Sequence, residues 1–443
     1  MTPVVRKHAV LAGAVLGLAA PNVHAQNELR IEDAVKSALT RNERAKIADL
    51  NVTVSEANLA RARTAFFPTA IVNGTFSWKP DDLVDQTSAR AQGSLFKNAN
   101  STAATGLAVN QPLLNASAIM LYAQSRQQLM GQVAQSQDDK RLLAFDAARA
   151  FFIALSADAV LSAANTRLTT AQANLADTQA RADAKIVSTN DVTRAQIDLA
   201  NAQHEVENDK GNSAVAYIGL AYTINAPIPA KLATPSALLA AGRAPVPSQE
   251  QLLRIAIATR PDLASRRHLA FAAHDFAREP LLRLVPVIAL TGTFGLSTDE
   301  TITGHGFYNA ESLGATLSWP LFDAGVRYAD KRSRDAQATI ADLTTDALIR
   351  TVNEQVLASV ASLQAAQSGL DAAQRARDAA KQSADETAIL YKQGLAKAIE
   401  LVDANDARFL ADVSYATAEY SVALAYLALR QAIGLEPIGA EIR

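Results

Sequence analysis

Glu400 and Asp403 are the residues whose type and spacing most directly predict chemistry. Helix positions three residues apart lie on one face, so these two carboxylates would crowd each other. Crowded carboxylates favour a bound cation or a shared proton. The alternative is an ordinary solvated helix start, where an acid stabilises the helix dipole. The same alternative applies to Asp191, which completes a capping-box pattern with Ser188.

Patterns typical of enzymes and metal sites are not found in the sequence. The chain has no Cys, which excludes disulfides, Cys-ligated zinc, iron–sulfur clusters and thiol nucleophiles. No nucleophile elbow, phosphate-binding loop or dinucleotide fingerprint occurs. We therefore expect no enzyme activity, no cofactor and no metal site. The His residues beyond position 25 are far apart in the sequence and are expected to be structural or exposed: His204, His268, His274 and His305.

Length, charge and composition narrow the class of protein. The chain has 443 residues, with 42 Lys and Arg against 44 Asp and Glu, and this balance gives no electrostatic reason to expect nucleic-acid binding. Hydrophobic residues make up 49% of the chain and aromatic residues only 5%. The excess is Ala and Leu, as in long helices packed through small side chains. We therefore predict a mainly α-helical protein.

The N-terminus has the features of a secretory signal peptide. Arg6 and Lys7 precede an apolar run at 9–20, and residues 23–25 form a small-x-small ending of the kind that signal peptidase cleaves. The run is shorter than the roughly 20 residues that a membrane-spanning helix needs. We expect residues 1–25 to be removed. Later helical stretches carry charges every few residues, so no transmembrane helix is expected among them.

The two halves of the chain repeat one plan, which is the most informative feature of the sequence. The segment 67–76 parallels 285–294, and 112–116 parallels 320–324. Five prolines lie between the halves and indicate an irregular crossover. We predict a first repeat at 26–224, a Pro-rich crossover linker at 225–247 and a second repeat at 248–443.

Each repeat is predicted to contain a helical hairpin of unusual length. Neither 113–226 nor 321–436 contains a Pro, and the outgoing helices would each reach roughly 100 Å at about 1.5 Å per residue. Large and small apolar residues alternate at heptad spacing, which favours close coiled-coil packing. The predicted helical hairpins occupy 113–223 and 321–434.

Two pairs of strands precede these hairpins. Residues 287–297 alternate, with Ile288 and Phe294 on the apolar face. Strands of about 9–11 residues that are apolar on one face and polar or small on the other are typical of a transmembrane β-barrel. Trp78 and Trp319 lie at strand ends, where interfacial aromatic residues belong. The predicted strands are at about 69–78, 103–111, 287–297 and 312–319.

Four strands cannot form a barrel, yet open sheet edges are not tolerated in lipid. Two chains would give eight strands, whose lumen is filled by side chains, whereas three chains would give twelve and leave room for a channel. We therefore expect a homotrimer whose helices continue the barrel as a long tube. For a single strand pair, the alternative is an ordinary amphipathic hairpin on a soluble core.

With these features the sequence resembles the TolC family of outer-membrane channel proteins over essentially the whole mature chain. The resemblance implies a homotrimer with a 12-stranded β-barrel in the outer membrane of a Gram-negative bacterium and an α-helical barrel in the periplasm. The most specific segment is Tyr391-x-x-Gly394, which leads into 399–404. The resemblance also rests on Pro68, Pro286, the segment 320–325 and the stretches 29–42 and 252–262.

The resemblance implies a function as the exit duct of a tripartite efflux pump or a type I secretion system. Such a duct passively conducts substrate and joins a periplasmic adaptor (membrane fusion) protein to an inner-membrane transporter of the RND or ABC type. Outer-membrane lipid is the remaining expected partner. A competing hypothesis is an exported periplasmic coiled-coil scaffold or adaptor protein whose strand pairs are ordinary soluble β-structure.

The resemblance further implies a periplasmic gate, narrowed by acidic residues and held by contacts between neighbouring helices. By position, Glu400 and Asp403 match the acidic ring, Tyr391 matches a latch tyrosine, and Asp191 matches the acidic position of the first hairpin. A latch arginine would be expected where Ala396 stands. The latch is therefore expected to be weaker or differently connected.

The turns of the two hairpins, at 184–189 and 393–398, would be the tips that face the adaptor. The alternative is a plain helix–helix turn in which Gly394 ends the preceding helix. The residues expected to face the adaptor are Lys185, Ser188, Gly394 and Lys397.

Overall fold

A computed structural model describes residues 28–78, 80, 101–229, 231–297 and 308–439. The predicted signal peptide, most of the loop that joins each strand pair, and His305 lie outside the described residues. The described chain is mainly helical, with two long helical hairpins and a four-stranded antiparallel sheet.

The first half contains a short strand, two short helices, a strand pair and a long helical hairpin. The two helices precede the strand pair, and the second strand extends beyond the predicted 103–111 at both ends. The elements are β1 (Glu28–Leu29), α1 (Ile31–Arg41), α2 (Glu43–Arg63), β2 (Thr69–Trp78), β3 (Ser101–Leu114), α3 (Ala116–Asp183) and α4 (Thr189–Ile224).

The crossover between the halves contains two elements that its proline content does not predict. β4 (Lys231–Leu232) pairs in parallel with β1, and α5 (Ser236–Arg243) buries Leu239 in the main apolar core. Gln367 of the second hairpin donates from Nε2 to the Gly242 carbonyl at 2.8 Å. The crossover is therefore not irregular throughout, because packing against both halves orders these two elements.

The second half repeats the order of the first, with two short helices, a strand pair and a long hairpin. Its last strand begins four residues earlier than the predicted 312–319. The elements are α6 (Gln249–Thr259), α7 (Pro261–Leu282), β5 (Val287–Ser297), β6 (Tyr308–Ser318), α8 (Val326–Lys392) and α9 (Ala398–Ala432).

Local capping explains where the long helices begin. Asn115 accepts the backbone N–H of Ala118 at 3.2 Å at the start of α3, which is a standard N-cap bond. α8 begins after Gly325, whose φ of 88° lies in the left-handed region that favours Gly. Since no Pro interrupts them, α3 and α8 run for 68 and 67 residues. Each is roughly 100 Å long.

α3 is the central helix of the described chain. It packs against α2 and α4 on one side and against α7 and α9 on the other, and α8 packs outside α7 and α9. An 18-residue stretch of α3 has a mean hydropathy of 1.5 and could cross a membrane by length and composition, contrary to the sequence expectation. The same helix contributes Phe151 and Phe152 to the main core, so packing accounts for apolar residues in it.

The register of the sheet aligns the apolar faces of all four strands. The strand order is β2-β3-β5-β6, and every neighbouring pair is antiparallel. Val72 lies opposite Leu107, Leu107 opposite Phe294, and Phe294 opposite Glu311. Alternate residues such as Thr293 point to the other, polar face. Glu311, the only charged residue in the four strands, is an exception on the apolar face.

Candidate channel mouth at the hairpin tips

The turns of the two hairpins have matching backbone geometry. After α3, Ile186 donates its N–H to the Arg181 carbonyl at 2.9 Å, and after α8, Leu395 donates to the Leu390 carbonyl at the same distance. These bonds close the helix ends in the manner of a Schellman motif. Gly394 has a φ of 77°, and the corresponding residue of the first turn is Lys185, with a φ of 58°. Lys185 therefore holds a left-handed conformation that Gly would adopt with less strain.

The two turns lie side by side and enclose an open cleft of about 520 Å³. The structure thus brings together most of the sequence-predicted mouth and tip residues, while Glu400, Asp403 and Lys185 do not line the cleft. Residues from both hairpins line it, among them Arg181, Ser188, Asp191, Arg194, Tyr391, Gly394 and Lys397.

Two of the predicted mouth acids also cap their own helices. Asp191 accepts from the Ser188 N–H at 3.1 Å and from its hydroxyl at 2.9 Å, and both bonds use Oδ2. Glu400 accepts from the Lys397 N–H at 3.1 Å through Oε2. Each acid keeps a second oxygen without a partner among the described residues. Capping and a role at a channel mouth are therefore compatible, because a cap uses only part of a carboxylate. Asp403 is exposed.

Tyr391 joins the two hairpins near their tips. Its side chain is buried, and its hydroxyl lies 3.3 Å from the Thr178 hydroxyl on α3. The Arg181 guanidinium lies 4.8 Å from the centre of the Tyr391 ring and donates to the Tyr391 carbonyl at 3.1 Å. Asp177 holds the same guanidinium at 2.9 Å. The arginine that contacts the tyrosine thus comes from α3, which explains how a contact forms although position 396 is Ala.

A second contact between the hairpins lies about four turns above the tip and was not predicted from the sequence. Arg167 of α3 donates to Asp198 at 3.4 Å and to Glu205, both on α4, and to Asp406 on α9 at 2.6 Å. Its guanidinium also lies 5.0 Å from the ring centre of Phe409. One arginine therefore holds three carboxylates from two helices. The heptad position of Arg167 is the sequence feature that could have indicated this contact.

The surroundings of Asp406 shift its proton affinity. Burial raises the pKa of the Asp406 carboxyl, and Arg167 opposes that shift. The carboxylates of Asp198, Asp403 and Glu205 raise the pKa of Asp406 further, so that it lies above its ordinary value. Asp406 therefore gains a proton on acidification before an ordinary exposed Asp does.

No group of His, Asp and Glu side chains in the described chain is arranged to hold a metal ion. The geometry at the tips is that of hydrogen bonds, ion pairs and cation–π contacts between helices. Such contacts position helices and repel or attract charged solutes, as a channel constriction does.

The comparisons with known proteins agree with this geometry. Residues 252–435 match a family model described as outer membrane efflux protein, and this match spans somewhat less than half of the chain. No protein of curated function matches the sequence significantly.

Several solved outer-membrane channels share the fold over nearly the whole chain. CusC has a TM-score of 0.77 at 18% identity, covering 91% of this chain and 92% of CusC. The open state of the Neisseria gonorrhoeae MtrE channel has a TM-score of 0.75 at 19% identity, covering 92% and 90%. The Campylobacter jejuni CmeC channel has a TM-score of 0.74 at 15% identity, covering 94% and 88%.

The family match over residues 252–435 and the shared fold of the solved channels confirm the resemblance to the TolC family that the sequence indicates. The predicted outer-membrane location and efflux-channel function agree with the description of the matched family. The predicted fold class is confirmed for its long helical hairpins and antiparallel strands.

Proposed function

We propose that three copies of this chain form the exit duct of a tripartite efflux or secretion system. The observation that carries this proposal is the four-stranded sheet with one continuous apolar face. Among the described strands, β2 and β6 each pair on one side only. In lipid such edges must be paired, and a ring of three copies pairs each β6 with the β2 of the next copy to give twelve strands.

The helices offer matching edges on the same two sides as the strands. On the side of β2, α2 exposes Ile47, Leu50 and Val54, which lie on one helix face. On the side of β6, α8 exposes Ile340 and Leu343. Exposed apolar stripes at helical spacing are typical of surfaces that another helix covers. Contact of the α2/α4 edge of one copy with the α8 edge of the next is a heterologous interface that closes into a ring.

Lipid contact accounts for the composition of the sheet. Trp78 is the last residue of β2, at the outer end of the sheet. Trp319 follows β6 at the opposite end, where its indole donates to the Leu284 carbonyl at 2.8 Å. Aromatic residues at both ends of an apolar band are typical of outer-membrane barrels. We place outer-membrane lipid around this band and the helical barrel in the periplasm.

At the far end of the helices, the tips form the gate and the docking surface of the duct. In the trimer, Glu400 and Asp403 supply six carboxylates around one axis, which favours cations over anions. Tyr391 and Asp191 belong to the latch. Lys185, Ser188, Gly394 and Lys397 face a periplasmic adaptor protein, which links the duct to an RND or ABC transporter of the inner membrane. Photo-crosslinkers at Lys185 and Lys397 in living cells would identify that adaptor and hence the type of transporter.

The experiment that tests the duct combines native mass and conductance of detergent-extracted protein. We expect a trimer that forms channels in a planar bilayer. Ile218→Asp, in the exposed stripe Val215, Ile218 and Tyr222 of α4, should abolish the trimer. Leu395→Asp at the tip of the second hairpin is the matched control, since Leu395 is 72% exposed and Ile218 68%, and it should remain trimeric.

Release of the protein from membranes by salt alone, as a monomer, would contradict the duct. That result would favour the competing periplasmic scaffold, because a soluble coiled-coil protein needs no detergent.

A further inference from the structure

The strand pairs of the two halves share one register, although their sequences differ. Pro286 lies 218 positions after Pro68. Pro320 lies 208 positions after Pro112. These two offsets convert every pairing of β2 with β3 into a pairing of β5 with β6. The repeat therefore extends to the register of the sheet, as two equivalent pairings show: Val72 opposite Leu107, and Leu290 opposite Ala315.

The contact between β3 and β5 is a template for the edges that a single chain leaves open. It joins the second strand of one pair to the first strand of the other pair. In a ring of copies, β6 and the β2 of the next copy stand in the same relation. The two offsets convert the β3–β5 pairings into pairings between copies, with the β6 residue first: Leu313 with Trp78, Ala315 with Phe76, Thr316 with Thr75, Leu317 with Gly74, Ser318 with Asn73, and Trp319 with Val72.

Side chains of the two edges complement each other in this register. Near the middle of the apolar face, Ala315 would lie opposite Phe76. Leu317 would lie opposite Gly74, so in both pairs a large side chain meets a small residue. A Cβ placed on Gly74 meets nothing within 4 Å in the single chain, which leaves space for Leu317. A shift by one residue would instead turn every apolar side chain of β6 towards the polar face.

The second strands of the two pairs end at positions that are not equivalent. β3 continues to Leu114, where it pairs with β5 alone. The equivalent of Leu114 in the second half is Phe322, yet β6 ends at Ser318. Within the described chain, no strand lies beside 319–322. Phe322 is accordingly 87% exposed, against 37% for Leu114. The missing neighbour therefore accounts for the shorter strand.

The bonds made by this segment in the single chain are compatible with a strand. Arg327 donates to the carbonyls of Pro320 and Leu321 at 3.1 and 3.4 Å. In the first half, the equivalent carbonyl of Pro112 accepts from the Gln111 side chain at 2.6 Å. Pro112 nevertheless lies within β3. A side-chain donor at this carbonyl therefore does not prevent strand formation.

We propose that residues 319–322 extend β6 only when the β2 of a second copy pairs with them, in the register of the β3–β5 contact, so that Phe322 lies opposite Ala70. The proposal rests on the proposed ring of three copies and adds to it a register and an ordering step. The extended strand would lead towards Gly325, where α8 begins, as β3 leads into α3 in the first half. Assembly would thus order the connection between the barrel and the second long helix.

The test of the register is disulfide formation in membranes that contain the full-length protein. The chain has no Cys, so introduced Cys residues are its only thiols. β2 and β6 of one chain are roughly 14 Å apart across the sheet, so a disulfide between them must join two copies. Thr75→Cys combined with Thr316→Cys should give a covalent trimer on a non-reducing gel, since directly opposite Cα atoms are about 4.5–5.5 Å apart. Asn73→Cys combined with Ser318→Cys tests the same register independently.

The matched controls shift the register by two residues and keep the same face. They combine Thr316→Cys with Asn73→Cys or with Ser77→Cys. These Cα atoms would be roughly 7–8 Å apart, beyond the usual disulfide range, so cross-linking should be about tenfold lower or less. More efficient cross-linking in a shifted pair would overturn the register, as would a trimer in which neither predicted pair forms a disulfide.

The test of the ordering step is hydrogen–deuterium exchange of the detergent-extracted protein. In the trimer, the amides of 319–322 should be protected to about the same degree as those of 111–114. In the monomer obtained with Ile218→Asp, exchange in 319–322 should be about tenfold faster or more, while 111–114 keeps its protection. Exchange of 319–322 at the intrinsic rate in the trimer would refute the extension.

The outcomes separate this proposal from the proposed function. An unmodified protein that is monomeric and forms no channels removes the ring of three copies and the register with it. A conducting trimer that cross-links in a shifted register, or that leaves 319–322 unprotected, removes only the present proposal.

Discussion

The two halves of the molecule make equivalent helix–helix contacts with different chemistry. We call each contact, between the end of a returning hairpin helix and the start of a short helix, a joint. In each half, the returning helix of the hairpin ends where a short helix begins, so that α4 meets α2 and α9 meets α7. In the first half the joint is neutral. Asn42, the N-cap of α2, donates to the Thr223 carbonyl at 2.9 Å, and Ser37 donates to the Ile224 carbonyl at 3.3 Å.

In the second half the joint is ionic. Arg260, the N-cap of α7, donates to the Ala432 carbonyl at 2.9 Å and to both oxygens of Asp262. Arg141 of α3 donates to the Gln431 carbonyl at 2.9 Å and binds the buried Asp138. Arg141, Asp138 and Arg260 are all at least nine-tenths buried.

This difference shows that the repeat conserves a task and leaves the residues that perform it free to change. The final carbonyls of a helix lack intrahelical partners, so any donor in the right place satisfies them. An amide does so at little desolvation cost. A guanidinium binds more strongly but requires a buried carboxylate beside it, which makes the second joint more sensitive to the loss of a single group.

The largest loss of stability is expected from breaking the ionic joint. Arg260→Gln would remove the guanidinium that binds Asp262 and the Ala432 carbonyl, at a cost of about 3–5 kcal/mol. We expect the last turn of α9 to lose protection in hydrogen–deuterium exchange, while the last turn of α4 keeps its own. Arg254→Gln is the control, because Arg254 pairs with Glu250 on the surface and both side chains are mainly exposed. Equal loss of protection in both halves would mean that the joints are not independent.

A smaller effect is expected from breaking the neutral joint. Asn42→Ala removes the bond to the Thr223 carbonyl and the N-cap bond from the Arg44 N–H at 2.9 Å. Loss of an N-cap costs about 1–2 kcal/mol, and a neutral carbonyl bond adds about 1. Exchange should accelerate in the last turn of α4 and the first turn of α2. A larger loss of exchange protection than that caused by Arg260→Gln would mean that the neutral joint, not the ionic one, is the more sensitive to the loss of a single group.

The sequence predicts the elements of the fold better than their contacts. Strict alternation places β5 at 287–297, and the structure has the strand at those residues. Pro112 suggests an end for β3, yet the strand continues to Leu114 through an irregularity in its register with β5. α5 escapes prediction because flanking prolines dominate the composition of the crossover, whereas packing of Leu239 decides its structure.

The same distinction applies to the candidate site. Ser188 and Asp191 are close in sequence, so their capping bond can be predicted from the pattern. Arg167 and Asp406 are separated by 239 positions, and nothing local indicates that they meet. Charged residues on a heptad helix face can point to water or to another helix, and only the packing of α3 against α9 decides between the two.

The smallest change in stability is expected from a change of pH, because the pKa values of two acids in the ionic joint are shifted in opposite directions. Burial raises the pKa of Asp138, although Arg141 opposes that shift. Ionised Asp138 therefore destabilises the fold at neutral pH, and this cost is relieved as the pH falls through the raised pKa. For Asp262, burial acts upward, but the bonds from Arg260 outweigh it and lower the pKa. The stability that Asp262 supplies is present above its unfolded pKa of about 3.9 and is lost as the pH falls through the lowered value.

Exchange protection at the second joint, corrected for intrinsic rates, should therefore rise slightly on mild acidification and fall below about pH 4. Asp138→Asn should abolish the rise and Asp262→Asn the fall, while the first joint, whose carbonyls are held by the neutral side chains of Ser37 and Asn42, should show neither. A rise in protection that survives in Asp138→Asn would assign the rise to another group. The charge of Asp138 would then no longer distinguish the two joints.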